Sequence, residues 1–176
     1  MANYSDVRFA NINYEIYAAG NRFLGNGEVS LPELEFMSVD MSGAGLAGKF
    51  SAPIKGFVDS AELEITWHTI NDDLNFFTVP SAKDLILYSA MENYDSSSGN
   101  LKAEQVKISI RGFNKKTALG SLKPAEQTET KTTLEIIYMN VSVAGKVIVE
   151  FDKINYKYIV NGTDYLADVR TALNRG

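Results

Sequence analysis

The stretch LEIIYMNVSVAGKVIVEFDKINYKYIV, residues 134–160, decides the fold class. Leu134 to Val143 and Val147 to Asp152 are runs rich in β-branched residues joined at Ala144-Gly145, the pattern of a hairpin. In the next run Ile154, Tyr156, Tyr158 and Val160 alternate with Asn155, Lys157 and Ile159, which turns the hairpin into a meander that stops at Asn161-Gly162. Three consecutive β-runs with tight turns imply an antiparallel sheet.

The same periodicity recurs upstream. Leu63, Ile65 and Trp67 alternate with Glu62, Glu64, Thr66 and His68, so the strand over 61–70 has a core face and a wet face. Val106, Ile108 and Ile110 alternate in the same way with Lys107, Ser109 and Arg111. Between residues 21 and 39, Arg22-Phe23-Leu24 is followed by Gly25-Asn26-Gly27 and a second alternating run, which predicts a hairpin turning at Asn26-Gly27. Pro32 starts or bends its second strand. Leu34, Phe36 and Ser38 share one face there, with Glu33 and Glu35 on the other.

Two segments show helical signals. Ser81 followed by Asp84 forms a capping box for a helix over residues 82–91, which Leu85, Ile86, Leu87 and Tyr88 make apolar nearly all round. Such a helix is packed from more than one side. In the tail, Leu166, Val169 and Leu173 fall at helical spacing, with Thr163 as the cap. Residues 41–57 carry Gly43, Gly45, Gly48, Gly56 and Pro53 and read as a long flexible excursion with no packed element of its own. Residues 94–100 form a polar turn, and residues 113–131 a surface loop. The sum is roughly six or seven strands and one packed α-helix, a mainly β two-sheet sandwich or open barrel spanning 1–176 as a single domain.

Composition narrows the function classes. A chain of 176 residues with 45% hydrophobic content has enough material for one core. Acids outnumber bases, 22 to 17, for a formal charge of -5, the wrong sign for holding nucleic acid. Without cysteine, neither disulfides nor thiolate metal sites are possible. The N-terminal residues lack a basic region and an apolar run, and no stretch reaches the length of a membrane span, so a subunit made in the bacterial cytoplasm is expected.

Catalytic and metal chemistry find little support. His68 is the only histidine and sits on the polar face of its strand, with no activated nucleophile near it in sequence. Asp72-Asp73 lacks the ligand spacing of a calcium loop. The glycine run at 43–48 is not followed by the Lys-Ser or Lys-Thr of a phosphate loop. Glu62 and Glu64 lie within carboxylate-pair distance only because residues two apart on a strand always do. No catalytic residue, metal or cofactor is expected.

Several stretches, taken in order, resemble the major tail tube proteins of contractile-tailed phages and R-type phage-tail-like bacteriocins. They are Asn21-Arg22; Leu31-Pro32-Glu33-Leu34-Glu35; Ser42-Gly43-Ala44-Gly45-Leu46-Ala47-Gly48; Val106 through Gly112; Gly145 through Asn155; and Val160 through Leu166. The resemblance implies rings of six subunits stacked into a hollow tube inside a sheath, with strands of all subunits joined in one inner β-barrel. It implies as partners the chain itself, the tail sheath, baseplate and tail terminator proteins, with DNA passing through unbound and no membrane insertion by the subunit. The virion tail or tailocin particle is the implied location.

On that reading, Glu62 and Glu64, and after them Glu33 and Glu35, are candidates to line an acidic lumen that repels DNA in transit. The glycine-rich excursion, with Gly43, Gly45, Gly48, Lys49 and Pro53, is the candidate inter-ring loop. A type VI secretion-like tube protein is the second reading. A sugar-binding β-sandwich, with Trp67 and Tyr156 to Tyr158 as stacking platforms, is the third.

Overall fold

The computed structural model describes residues 6–18, 21–25 and 27–175. Along the chain come β1 (Asp6–Ala18), β2 (Arg22–Phe23), β3 (Gly27–Ser30), β4 (Phe36–Met41), β5 (Phe50–Val58) and β6 (Glu62–Trp67), then a short helix α1 (Leu74–Thr78). The second half holds β7 (Ala82–Asp95), β8 (Asn100–Ala118), β9 (Thr130–Val143), β10 (Lys146–Asp152), β11 (Lys157–Val160), β12 (Thr163–Asp164) and α2 (Ala167–Ala172). The fold is mainly β, as the sequence implies.

Ten strands form one antiparallel sheet in the order β12-β11-β10-β9-β8-β7-β1-β2, with β6 and then β3 branching from β9. The branch arises because β9 is used twice. Its first half pairs with β6, Glu62 opposite Glu135 and Trp67 opposite Thr130, and its second half with β10. Where the partner changes, β8 shifts register against β9 at Arg111/Gly112 and again at Asn114/Lys116. Such irregularities bend a sheet. Gly112 sits at this bend because a Cβ there would lie 2.6 Å from the Glu135 carbonyl oxygen.

The bend folds the sheet over its own apolar face. Leu63, Ile65 and Trp67 of β6 enclose one core with Ile16, Leu85, Leu87, Ile108, Ile110, Leu134, Ile136 and Phe151. The Trp67 indole N–H donates to Thr132 Oγ1 at 3.1 Å inside this core, and Phe77 of α1 packs 5.5 Å from the indole ring. Across the rim, Tyr14 Oη donates to the Gly27 carbonyl at 2.6 Å and Leu24 N to the Ile16 carbonyl at 3.0 Å. The result is an open, strongly bent antiparallel sheet closed over one core, with β10 to β12 extending one side.

The hairpin of residues 134–152 forms as its pattern requires, but of the third run only Lys157–Val160 is a strand, because Lys153 to Tyr156 make the turn, with Tyr156 at φ 52°. Ala144 and Gly145 have φ of 49° and 78°, and Asn161 and Gly162 have 48° and 83°, which matches the twist of the flanking strands.

Five local expectations are corrected. The packed helix over 82–91 is strand β7: Lys83, Leu85 and Leu87 are buried while Asp84, Ile86 and Tyr88 lie on the opposite face. That face is itself half-buried, so both faces read apolar and the period of two is hidden. Asp84 caps nothing; it forms a bidentate pair with Arg111, directly across on β8, at 2.6 and 3.1 Å.

The hairpin over 21–39 does not exist, because β2 pairs with β1 and β3 pairs with β6. Asn26 of its turn lies outside the described residues. Residues 41–57 are not a structureless excursion: β4 and β5 pair into a separate two-stranded sheet, leaving 42–49 as its tip. The loop over 113–131 shrinks to 119–129, since β8 runs on to Ala118 against β9. In the tail, α2 falls within the expected stretch, with Leu166 rather than Thr163 at its N-cap.

Candidate assembly surfaces

The wet face of β6 carries paired charges. Glu62 meets Lys115 at 2.5 Å and Glu64 meets Lys131 at 3.0 Å, both partners coming from the adjoining walls of β8 and β9. The Lys115 ammonium is held above its ordinary value by its hydrogen bond to Glu62. Next to Glu62 across the ladder, Glu135 accepts from Ser60 Oγ at 2.7 Å and faces Lys153 at 3.3 Å. Partial burial pushes the Glu135 carboxyl up, but the Ser60 and Lys153 hydrogen bonds outweigh it and leave the group below its ordinary value. Glu33 and Glu35 are exposed on the β3–β4 connection, in a segment separate from β6.

The outer face of the long sheet has a different balance. Residues directly opposite one another share a face, so the register sets Glu15, Tyr88, Lys107 and Ser142 in one row. Tyr17, Ile86, Ser109, Asn140, Glu150, Ile159 and Asp164 form the next. Asp84, Arg111, Tyr138, Asp152 and Lys157 form a third. Glu15, Asp84, Glu150, Asp152 and Asp164 on this face outnumber Lys107, Arg111 and Lys157.

The β4–β5 hairpin projects from the opposite end of that sheet. Val39 pairs with Ala52 and Met41 with Phe50, giving one apolar face, while Ser38, Asp40 and Ser51 occupy the other. Val39, Met41 and Phe50 are 50%, 44% and 51% exposed, so among the described residues nothing covers that face. Gly43, Gly45 and Gly48 all lie in the tip, and Lys49 is tied to Asp40 at 2.9 Å. Pro53 lies in β5 opposite Ser38.

Only the base of the hairpin is anchored. Phe36 packs edge-on to Tyr158 at 5.5 Å and Phe57 to Tyr156 at 6.2 Å. Gly56, at φ 70°, lets Leu166 approach so closely that a Cβ would sit 2.7 Å from its Cγ. Lys55 reaches Asp168 of α2 at 2.7 Å, and that hydrogen bond holds the Asp168 carboxyl below its ordinary value.

Other residues singled out in the sequence have structural settings. Trp67 is buried and its N–H is satisfied, and Tyr156 and Tyr158 pack under the hairpin, so these rings offer no open sugar platform. His68 Nδ1 lies 2.9 Å from Gln127 Oε1. Asp73 is ion-paired with Arg22. Among the described residues no group of three acidic, histidine or cysteine side chains converges as a metal site, and no helix is long and apolar enough to cross a membrane.

Two features escape the sequence. One is strand β1, whose period is broken by register shifts at Arg8/Ala10 and Asn11/Asn13. The other is an apolar cavity of about 360 Å³ between the β3–β4 connection and the sheet, lined by Leu31, Leu34, Met91, Val106, Val141 and Val149. Its walls come from six separate segments, β1 among them through Asn11 and Tyr14, so no local pattern announces it.

Residues 12–173 match the family model described as phage tail tube protein FII. The tail tube protein of Escherichia phage P2 is 28% identical over 148 residues, which cover 81% of this chain and 83% of that protein.

Proposed function

The chain belongs to the phage tail tube protein FII family, and on that premise we propose that it is the inner-tube subunit of a contractile phage tail or tailocin, stacked as rings of six into a hollow conduit. The family is one of structural tail tube proteins rather than enzymes, and it places the chain in a virion tail assembled from copies of itself with other tail proteins. The family match over residues 12–173 carries the reading. The whole chain acts as one tube unit, made in the bacterial cytoplasm, with the sheath around it and baseplate and terminator proteins at its ends. DNA passes without specific binding, in keeping with the net charge of -5.

Negative-stain images of the purified protein test this. Hollow tubes, or rings of six, are the expected result; particles that stay monomeric under all assembly conditions defeat it.

The β4–β5 hairpin is the inter-ring element, with Gly43, Gly45, Gly48, Lys49 and Pro53 in or beside its tip. A lone two-stranded hairpin is marginal in water, and its bare apolar face supports a role that another copy completes.

For the lumen, Glu62 and Glu64 remain candidates, with Glu33 and Glu35 beside them. Their pairing with Lys115 and Lys131 favours a second reading, in which the outer face of the long sheet lines the channel. That face also holds ion pairs, Asp84 with Arg111 and Asp164 with Arg170, but Glu15, Glu150 and Asp152 remain against Lys107 and Lys157, and a net surplus repels a polyanion. Conductance of assembled tubes separates the two: Glu150→Lys with Asp152→Lys should lower cation preference more than Glu62→Lys with Glu64→Lys. The reverse order would return the lumen to β6.

A further inference from the structure

We propose that residues 31–35 form a strap that closes into the apolar cavity beneath it when the β4–β5 hairpin of the same subunit is engaged by another copy. This rests on the inter-ring reading of the hairpin above and adds how its engagement reaches the core. The cavity, about 360 Å³, has Leu87, Ile108 and Met139 as its buried floor, with Met91, Val106, Val141 and Val149 half-buried around them. Its polar residues are already engaged with protein groups. Ser89 Oγ donates to Asn11 Oδ1 at 2.9 Å, and Tyr14 Oη to the Gly27 carbonyl at 2.6 Å. Water needs several polar partners to settle in such a space, so apolar groups are its natural filling.

The nearest apolar groups without full cover are on the strap itself. Leu31 and Leu34 stand on the cavity wall yet remain 55% and 36% exposed. Residues 31–35 belong to no strand, and no backbone hydrogen bond among the described residues involves Leu31 to Leu34. The strap is tied only at its ends, by Ser30 opposite Glu64 and by the Glu35 carbonyl, which accepts from Asp59 N at 2.9 Å. Moving Leu31 and Leu34 inward therefore breaks no ladder, and it takes both the side chains and the cavity wall out of water.

The far end of the strap is the base of the hairpin, and that base has room to move. A second groove, of about 210 Å³, lies between Phe36, Ile54, Tyr158, Val160 and Tyr165. The β4–β5 ladder also slips here: Phe36 faces Val58 while Ser38 faces Pro53, which leaves Ile54 to Phe57 looped out with Gly56 at φ 70°. A loose joint beside an unfilled groove is the setting of a hinge. A shift of Phe36 into this groove carries Glu35 with it, so the strap links the hairpin to the sheet interior.

The cysteine-free chain makes closure directly measurable. Leu34→Cys with Val141→Cys, and Leu31→Cys with Val106→Cys, are oxidised mildly as free subunits and as tubes, then run on non-reducing gels. At least one pair should link within the subunit at least about tenfold faster in tubes, since a disulfide needs Cα atoms within about 7 Å. Equal rates in both states, or no link at all, overturn the proposal. Links between subunits overturn it as well, because they make another copy the occupant of the cavity. Val141→Phe fills the space from the sheet side and gives a second readout. Its free subunit should melt no lower than the unmodified chain, while its tubes should elongate at least about tenfold more slowly. Elongation at the ordinary rate, or a clear fall in melting temperature, overturns the closure. If the unmodified chain forms no tubes, the tube reading itself falls.

Discussion

Gly112 has no room for a side chain, and the bend that folds the sheet over its core passes through it. Gly112→Ala would press a Cβ against the Glu135 carbonyl, a backbone group that cannot rotate away, so a loss of about 2 kcal/mol or more is expected in denaturant melts. A subtler loss is predicted at Thr132, fully buried beside Trp67. Thr132→Val keeps the shape but leaves the indole N–H without an acceptor, costing about 1–3 kcal/mol and shifting the tryptophan fluorescence of the folded state. Acid stability also has a residue-level origin. Burial pushes the Asp152 carboxyl up, but Asn155 and the backbone N–H groups of Ile154 and Asn155 pull it further down, leaving it below its ordinary 3.8. A depressed folded-state value means stability that is present above the unfolded-state pKa and lost as pH falls through the folded one. The melting temperature should therefore hold above about pH 5 and fall below about pH 4, less steeply in Asp152→Asn.

Among the elements, the β4–β5 hairpin contributes least to the subunit and most to what lies outside it. None of residues 42–55 belongs to the buried core cluster. Deleting Ser42 to Lys55 should thus leave a cooperatively folding subunit that forms no tubes; tubes of normal length from that variant would refute the hairpin's role. Gly56→Ala acts at the anchor instead. The added Cβ collides with Leu166 at a φ that alanine disfavours, so the base should loosen and limited proteolysis within 42–49 should accelerate while the core melt moves little. This element also shows where patterns mislead. Glycines and Pro53 mark the tip and one edge correctly, yet the strands beside them are too exposed to give a core-facing alternation. In β7 the difficulty is opposite: cover on both faces makes Leu85, Ile86, Leu87 and Tyr88 look like one apolar block.

At the scale of the whole molecule, the assembled form explains features that burden a free subunit: the bare edge of β1, the uncovered hairpin and the apolar cavity under Leu31 and Leu34. Each is surface that a closed, stacked oligomer can remove from water. The acid surplus on the outer face of the long sheet belongs to this scale too, because a ring repeats it. By itself the sequence determined the β class, the hairpin of residues 134–152 with its Ala144-Gly145 turn, the Asn161-Gly162 turn, the core face of β6 and the family likeness. These depend on contacts near in the chain or on residue order, and both can be read along a line. Only the tertiary structure decided that residues 82–91 are a strand, that β9 serves two walls, that Glu62 and Glu64 are ion-paired, and that β1 ends the sheet with an open edge. Each of those depends on partners far apart in sequence, such as Asp84 with Arg111 or Glu62 with Lys115, and local periodicity carries no information about them.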